Sequence, residues 1–436
     1  MKNLIKKIAP SFLIKWYHFG LSLTGAIVYR FPSGKMKIIG VTGTNGKTTV
    51  VNLAAKILEE AGFKVAAISS IKFKIKDKER PNALKMTMPG RLKLQRFLRR
   101  ALSQGCQYVV IEVTSEGILQ YRHKFIDFDV VIFTNLTPEH IESHGSFEKY
   151  REAKGKLFQS LKESKKTKKI SVINLDDENA EYFLKFWADQ KIGYTLREHE
   201  IYNTKQNSSF KFQVSISIKA TDIETSAEGI SFVIDDTPFS LKLLGRFNIY
   251  NSLAAISVAL SQGINLEVCR KALEKVEIVS GRMEEIIKEP FRVFVDYAHT
   301  PDALEKAYSA FLKDSPKICV LGSCGGGRDK WKRPKLGEIA ENFCNQIILT
   351  NEDPYEENPE QIISQIESGI KNKTKVLKIL DRREAIKKSL SLAKPGNVVI
   401  ITGKGSEPWM CVAGGRKVPW DDRKIVKEEF ERLTLQ

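Results

Sequence analysis

The stretch "IIGVTGTNGKTTVVNLAAKIL" (residues 38–58) places a glycine-rich turn, ending in Gly46-Lys47-Thr48, between an apolar run and an amphipathic one. Strand, glycines and helix in that order are the setting in which a phosphate loop works. Backbone N–H groups and the helix N-terminus face the phosphate oxygens, a lysine neutralises the terminal ones, and the next hydroxyl can ligate Mg²⁺. Lys47 and Thr48 hold those last two positions. The glycines stand at 40, 43 and 46, with Val41 where the strict pattern has glycine. A turn needed only for tight packing would leave Lys47 unexplained, so the expectation is an ATP site.

Outward from this loop the chain alternates strand-like and helix-like runs. "MKIIGVTG" predicts a buried strand, and "KTTVVNLAAKILEEAG" a helix stopped by Gly62. "KVAAISSIKFKI" reads as strand, "RLKLQRFLRRALSQG" as a basic amphipathic helix, and "CQYVVIEVTS" and "FDVVIFTNL" as strands apolar on both faces. Such strands, separated by helices, predict a mostly parallel α/β sheet. Residues 210–235 switch to period-2 alternation, which predicts antiparallel strands. After "VSGRMEEI" (279–286) a second α/β pattern begins, with "FRVFVDYA", "KICVLGSC", "NQIILTNED" and "NVVIITGKG" as strands. The fold class is therefore α/β: a P-loop-type, mostly parallel central sheet with an antiparallel insertion, then a Rossmann-like C-terminal domain. The expected divisions are an N-terminal segment 1–37, a central domain 38–280 and a C-terminal domain 281–436.

A length of 436 residues suits two to three domains. The net charge of +18 would attract nucleic acid, an anionic membrane surface or polyanionic small substrates. The charge is uneven, with seven Lys/Arg and no Asp or Glu in residues 1–37, and eleven basic against two acidic residues in 71–100. A solvated lysine-rich surface would look the same. Six cysteines (106, 269, 319, 324, 344, 411) form no CxxC pair, and are expected as reduced thiols in a cytoplasmic protein. The apolar "WYHFGLSLTGAIVY" (16–29) is too short to span a bilayer, for which about 20 residues are needed. It reads as a helix packed on the body, or as one lying on a membrane surface with its lysines toward anionic lipid.

Polar residues at the ends of apolar strands could complete the site. Glu112 ends "YVVIEV", and Asn135, Glu139 and His140 follow "VVIFTNL". In open α/β sheets ligands sit beyond the carboxyl ends of the strands, so these side chains should converge near the phosphates. A carboxylate and an imidazole there suit a divalent metal. Each is also open to a plainer reading, Glu112 as a cap and His140 as a helix-start residue.

The runs "GVTGTNGKTT", "IEVTSEG", "FTNLTPEHIESHG", "YREAKGKLF", "INLDD", "GRFNIYNSLAA", "SGRMEEI", "VDYAHTPDAL", "GSCGGGRDKWKRP", "EDPYEENP", "ITGKGSEP" and "WDDR" occur in this order. Together they resemble the Mur ligases, most of all the branch that adds the third amino acid to UDP-N-acetylmuramoyl-L-alanyl-D-glutamate. The resemblance implies ATP and Mg²⁺, a UDP-muramoyl-peptide-like acceptor and a free amino acid as partners, no nucleic acid, and a monomer. It implies ATP phosphates on Gly43, Thr44, Asn45, Gly46, Lys47, Thr48 and Thr49. Adenine, phosphate and ribose contacts fall to Asn248, Arg282 and Asp296. Metal contacts fall to Thr48, Glu112, His140 and Lys154, the last of these carbamylated in the family. Lys47, Lys154, His140 and Arg282 would serve catalysis, and Thr87, Ser115, Arg122, Arg328, Asp353 and Glu407 the substrates. The implied reaction runs through an acyl phosphate, which an amino group then converts to an amide.

Three departures alter the expectation. The family carries a uridine-diphosphate-holding domain of roughly a hundred residues ahead of the loop, a size typical of a small domain. Here the loop begins near residue 40. The acceptor's carrier is then held differently or is itself altered, for example lipid-linked, with contact to a membrane through residues 1–30. Second, Tyr355 stands where diaminopimelate-adding enzymes have an arginine for the distal carboxylate. A phenol makes no bidentate ion pair, which disfavours diaminopimelate unless Arg328 or a neighbour compensates. Third, Ser406 and Glu116 replace two family histidines, while Glu407 survives as the residue resembling the incoming ammonium's partner. Related ligases acting on folylpolyglutamate or cyanophycin share the loop. A P-loop switch would share it too, but would leave the second α/β pattern without a role.

Overall fold

The computed structural model describes residues 10–84, 86–197, 214–312 and 314–435. Its centre is a nine-stranded sheet in the order β4-β3-β2-β5-β1-β6-β7-β8-β9. These strands are β1 (Lys37–Thr42), β2 (Val65–Ile68), β3 (Lys72–Ile75), β4 (Lys78–Pro81), β5 (Tyr108–Glu112), β6 (Val130–Phe133), β7 (Ile170–Asn174), β8 (Gln190–Thr195) and β9 (Ile216–Lys219). β1 lies between β5 and β6 and runs parallel to both, with Val41 beside Glu112 and Thr42 beside Phe133. The carboxyl ends of these three strands therefore open at one edge. Only β3 runs against the others, pairing antiparallel with β2 and with β4 at the sheet's margin.

The apolar strands bury side chains on both faces because helices cover both. Helix Lys47–Glu60 packs against helix Phe247–Ser261 on one face, where Val50, Leu53, Leu253 and Ile256 meet Ile39, Val110 and Ile132. On the other face the helices Arg91–Ser103 and Phe147–Glu163 pack Leu94, Leu98, Leu157 and Phe158 against Ile38, Val109 and Val131. Helix Lys47–Glu60 ends as expected, with Gly62 at φ +86° just past it.

Two strand expectations needed refinement. "KVAAISSIKFKI" is two strands, β2 and β3, because the chain reverses between Ser69 and Lys72, where Ser69 N bonds Lys72 O. In 210–235, whose first four residues lie outside the described ones, β9 joins β8 in parallel at the sheet's edge. The rest is antiparallel, as β10 (Thr221–Thr225), β11 (Ile230–Ile234) and β12 (Thr237–Leu241). Alternation reports a half-buried strand, not the direction of its neighbour.

The C-terminal unit holds a six-stranded sheet, order β13-β14-β18-β15-β16-β17. Its strands are β13 (Glu284–Ile287), β14 (Arg292–Val295), β15 (Lys317–Leu321), β16 (Gln346–Leu349), β17 (Val376–Lys378) and β18 (Val398–Ile401), parallel except for β13. A short hairpin, β19 (Trp409–Val412) with β20 (Arg416–Pro419), follows it. The mixed α/β architecture, with a large mostly parallel central sheet and a separate C-terminal α/β unit, is the one the periodicity predicts.

The cysteine expectation is corrected. Cys319, on β15, and Cys344, at the end of helix Lys332–Phe343, form a disulfide. The helix crosses back over its own sheet and brings its last turn beside β15, so the two Cα atoms stand 6.1 Å apart. A separation of 25 residues carries no pairing signal in the sequence. Cys106, Cys269, Cys324 and Cys411 are free thiols.

Two fully buried charges in this unit form a pair. Arg382 Nε and Nη2 donate to Asp422 at 2.9 and 2.7 Å, with both side chains inaccessible, and Nη2 also donates to Thr402 O. Removing one partner of such a pair strands the other charge in low dielectric. Asp422→Ala should therefore lower stability by about 3–5 kcal/mol. An apolar double replacement, Arg382→Met with Asp422→Leu, should recover most of that loss in urea denaturation. Equal midpoints for the single variant and the parent would contradict the reading.

Candidate active site

The loop after β1 is held by its neighbours at every turn. Thr44 N donates to Asn135 O, and Asn45 N to Asn135 Oδ1 at 2.9 Å. Thr134 Oγ1 donates to Asn45 O at 2.7 Å. Gly43 (φ +151°) and Gly46 (φ +82°) leave no space for a side chain. Helix Lys47–Glu60 starts directly behind them, so its free N–H groups point into the cleft.

Glu112 comes to this loop from the end of β5. Its Oε2 accepts from Thr48 Oγ1 and Ser70 N, both at 2.8 Å, and its Oε1 from Ser70 Oγ at 3.0 Å. Ser70 Oγ in turn lies 2.8 Å from Thr87 Oγ1. A hydroxyl and a carboxylate oxygen side by side on the cleft wall are hard donors of the kind Mg²⁺ takes, so these residues fit that ion. Lys47 Nζ donates to Thr44 O at 2.6 Å; burial lowers its pKa, partly offset by the Glu112 carboxylate.

Lys154 is not the exposed helix lysine that its surroundings in sequence allow. It is 2 % exposed, donates to Gly43 O at 2.7 Å, and sits 4.4 Å from the Tyr150 ring centre. Burial, then the positive charge of Lys47, drives its pKa well below that of a free lysine. His140 caps the short helix Ile141–His144 in a left-handed conformation (φ +58°) and lines the same cleft. Burial, then Arg328, Lys154, Lys332 and the ring of His299, pushes its pKa down to about 2.

The C-terminal unit closes the other side. Arg282 lies over the Tyr297 ring at 4.4 Å and reaches Thr48 Oγ1 at 3.4 Å. Asn45 Nδ2 donates to Asp302 at 2.8 Å, and Asp329 accepts from Ile141 N and Glu142 N. Lys332 Nζ pairs with Glu139 at 2.9 Å in a fully buried contact. Asp296 accepts from Met283 N and Ala298 N, both at 2.7 Å, and borders a second cavity on the far side of the loop. That cavity also has Thr49, Asn135, Asp176, Tyr250 and Asn251 in its wall.

Most residues singled out in the sequence meet in this space. Thr44 to Thr48, Thr87, Glu112, Ser115, Arg122, His140, Lys154, Arg282, Arg328 and Glu407 line the main cleft. Ser115 Oγ contacts His144 Nε2 at 3.1 Å, and Arg122 donates to Met88 O and Gln120 Oε1. Three residues stand apart from the walls, the first being Gly43, whose carbonyl accepts from Lys154 Nζ. Asn248 turns inward, donating to Leu244 O and accepting from Asn251 Nδ2, both at 2.8 Å, so that Asn251 faces the second cavity. Asp353 lies beneath the cleft, accepting from Lys404 Nζ at 2.9 Å and from Cys411 N at 2.7 Å. Sequence reasoning passed over Asp329, Lys332 and Tyr297. The first two sit in the glycine-rich run after "KICVLGSC", and charged residues beyond a buried strand end were the available signal.

Fold and site together define a phosphate-loop α/β protein in which a second α/β unit closes over the loop. Residues 41–259 match the Mur ligase middle domain, and residues 281–405 the Mur ligase glutamate ligase domain. A UDP-N-acetylmuramoyl-L-alanyl-D-glutamate–2,6-diaminopimelate ligase of Syntrophomonas wolfei is 37% identical over 417 residues, covering 94% of this chain and 81% of the relative. A UDP-N-acetylmuramyl-tripeptide synthetase of Roseiflexus is 36% identical, covering 97% and 84%. A solved diaminopimelate ligase structure superposes with a TM-score of 0.59 at 31% identity, covering 92% of this chain and 79% of that one. The chain belongs to the Mur ligase family.

The depressed pKa of His140 carries a pH signature. Below about 6.5 the unfolded chain binds a proton on this ring that the folded chain refuses, so its contribution to stability is complete above 6.5 and falls as pH drops. Imidazole NMR signals of His140, assigned with a His140→Gln variant, should show no titration between pH 5 and 8. A midpoint near 6.5 would contradict the burial argument.

Proposed function

We propose that the chain is an ATP-dependent, ADP-forming ligase that joins an amino acid to a UDP-muramoyl-peptide-like acceptor in peptidoglycan precursor synthesis. The observation that carries this reading is the position of Thr48. Its hydroxyl lies between Glu112, from the nine-stranded unit, and Arg282, from the C-terminal unit. Loop, acid and base thus converge where a γ-phosphate would rest.

In the first step the acceptor carboxylate attacks the γ-phosphorus and ADP leaves, giving an acyl phosphate. In the second the amine attacks the acyl carbon, phosphate leaves, and the amine's proton is lost as the amide forms. The first step brings two anions together, and Lys47 and Arg282 supply the positive charge that permits it. The loop and helix N–H groups orient the phosphates. Asp296 and Asn251, in the second cavity, suit the nucleoside end. Closure of the two units excludes water that would hydrolyse the acyl phosphate.

Mg²⁺ fits Thr48 and Glu112 as a first position and His140 with Lys154 as a second, and when bound it would neutralise phosphate charge. As an ammonium, Lys154 offers a metal nothing. Its lowered pKa favours the free amine, the form that takes up CO₂ as a carbamate and so becomes an oxygen donor. A ¹³C signal from labelled bicarbonate, lost in Lys154→Ala, would mark this adduct. Its absence in the parent chain at neutral pH would reject it.

Mass spectrometry of UDP-N-acetylmuramoyl-L-alanyl-D-glutamate incubated with the chain, Mg-ATP and mixed amino acids tests the reaction directly. One amino acid's mass should be added, and Lys47→Ala should lower the rate by at least ~100-fold. ATP turnover with no mass gain on that acceptor would keep the ligase chemistry and reject the acceptor. ATP turnover needing neither carboxylate nor amine would favour a switch.

The family relatives include diaminopimelate ligases, yet Tyr355 points elsewhere. It lines the cleft with its ring against Gly326, in a wall that also holds Glu407 and Trp409. Lys404 is bonded to Asp353 and Glu407 at 2.9 and 2.6 Å. Lysine or ornithine should therefore outcompete diaminopimelate, and Tyr355→Arg should shift the ratio of kcat/KM toward diaminopimelate by about tenfold or more. A parent preference for diaminopimelate would overturn this assignment.

A further inference from the structure

We infer that helix Ser11–Val28, together with the cationic helix Arg91–Ser103 on which it rests, docks on an anionic lipid surface, a role independent of the ligase reading. The helix is fastened to the body by its middle. Ser22 Oγ donates to Tyr121 O at 2.8 Å, Phe19 packs edge-on to Phe125 and Tyr121, and Arg91 reaches His18 Nδ1. Gly25 lies against Leu92 and Gln95 of the neighbouring helix at ordinary contact distance. Among the described residues, the first two turns have no such support. Phe12, Leu13, Trp16 and Tyr17 are 58, 50, 70 and 63 % exposed, and Leu92 on the neighbouring helix is 40 % exposed.

The charges on these two helices have one sign. Neither helix contains an Asp or Glu, and Lys15, Lys93, Arg96 and Arg100 are exposed. Apolar and aromatic side chains beside unpaired cations are the composition that binds the boundary of an anionic bilayer: the rings enter the headgroup region and the cations meet lipid phosphates. A second copy of the chain fits less well. An isologous contact would set these cations against themselves, and the exposed apolar residues are far fewer than the roughly 20–30 per side of a stable interface. The helix does not cross the membrane, since among the described residues none is long and apolar enough.

Co-sedimentation with phosphatidylcholine vesicles, with and without phosphatidylglycerol, tests this on the full chain. Binding should require phosphatidylglycerol and weaken with salt, as screening demands. A triple variant, Phe12→Ser, Trp16→Ser and Tyr17→Ser, should bind about tenfold more weakly, as should Lys93→Glu with Arg96→Glu and Arg100→Glu. Urea midpoints matching the parent would show that these variants fold. In the otherwise unchanged chain, brominated lipid should quench tryptophan emission, and Trp16→Phe should remove that quenching. Binding that ignores lipid charge, binding unchanged by either triple variant, or a dimer in sedimentation velocity that the serine variant dissociates would each overturn the proposal.

Discussion

A Cβ on Gly46 would lie 2.3 Å from Asn251 Oδ1, and one on Gly43 only 1.9 Å from Thr134 Oγ1. The site is built around that lack of space. The loop after β1 passes between the end of β6 and helix Phe247–Ser261 with its backbone against both. Both glycines also take positive φ, which a side chain would oppose even in open space. Because the loop cannot swing outward, its N–H groups and the helix behind it stay directed at the cleft. Lys47, Thr48, Glu112 and Lys154 inherit their positions from this one close approach.

The second constraint is electrostatic. Lys47, Lys154, Arg282, Arg328 and Lys332 crowd into one region, and only some of their charge is balanced by protein. Glu139 takes up Lys332, and the buried amine of Lys154 is driven toward its neutral form. What is left suits a ligand carrying several negative charges, and it adds to the burial that chiefly keeps protons off His140 and His299. The aromatic ring of Tyr297, beneath Arg282, holds that guanidinium flat without neutralising it.

The loop and its helix were legible because their chemistry is local: glycine spacing, a lysine and an apolar strand lie within twenty-one residues. Glu112 and His140 were legible as polar groups closing buried strands. The inward turn of Asn248 was not, because which of two asparagines one helical turn apart faces a cavity depends on how the helix is rotated against Leu244. The burial of Lys154 was likewise hidden, since it arises from Tyr150 and the loop carbonyl of Gly43, more than a hundred residues away in the latter case. The Cys319–Cys344 bridge and the Lys332–Glu139 pair also join distant segments, and no local pattern encodes them. The direction of β9 was missed because alternation is blind to it.

Polar contacts such as Asn45 with Asp302, Arg282 with Thr48 and the buried Lys332–Glu139 pair join two units whose cores are largely distinct, with Leu244 and Phe247 of the first packing into the second. Units with largely distinct cores can melt one after the other. A molecule touching both the loop and Asp296 would bind only the state in which both are folded and apposed. Its occupancy then becomes the glue of the tertiary structure, merging two melting events into one. Cells that deplete it would loosen the whole chain at the seam, and proteases would find that seam first.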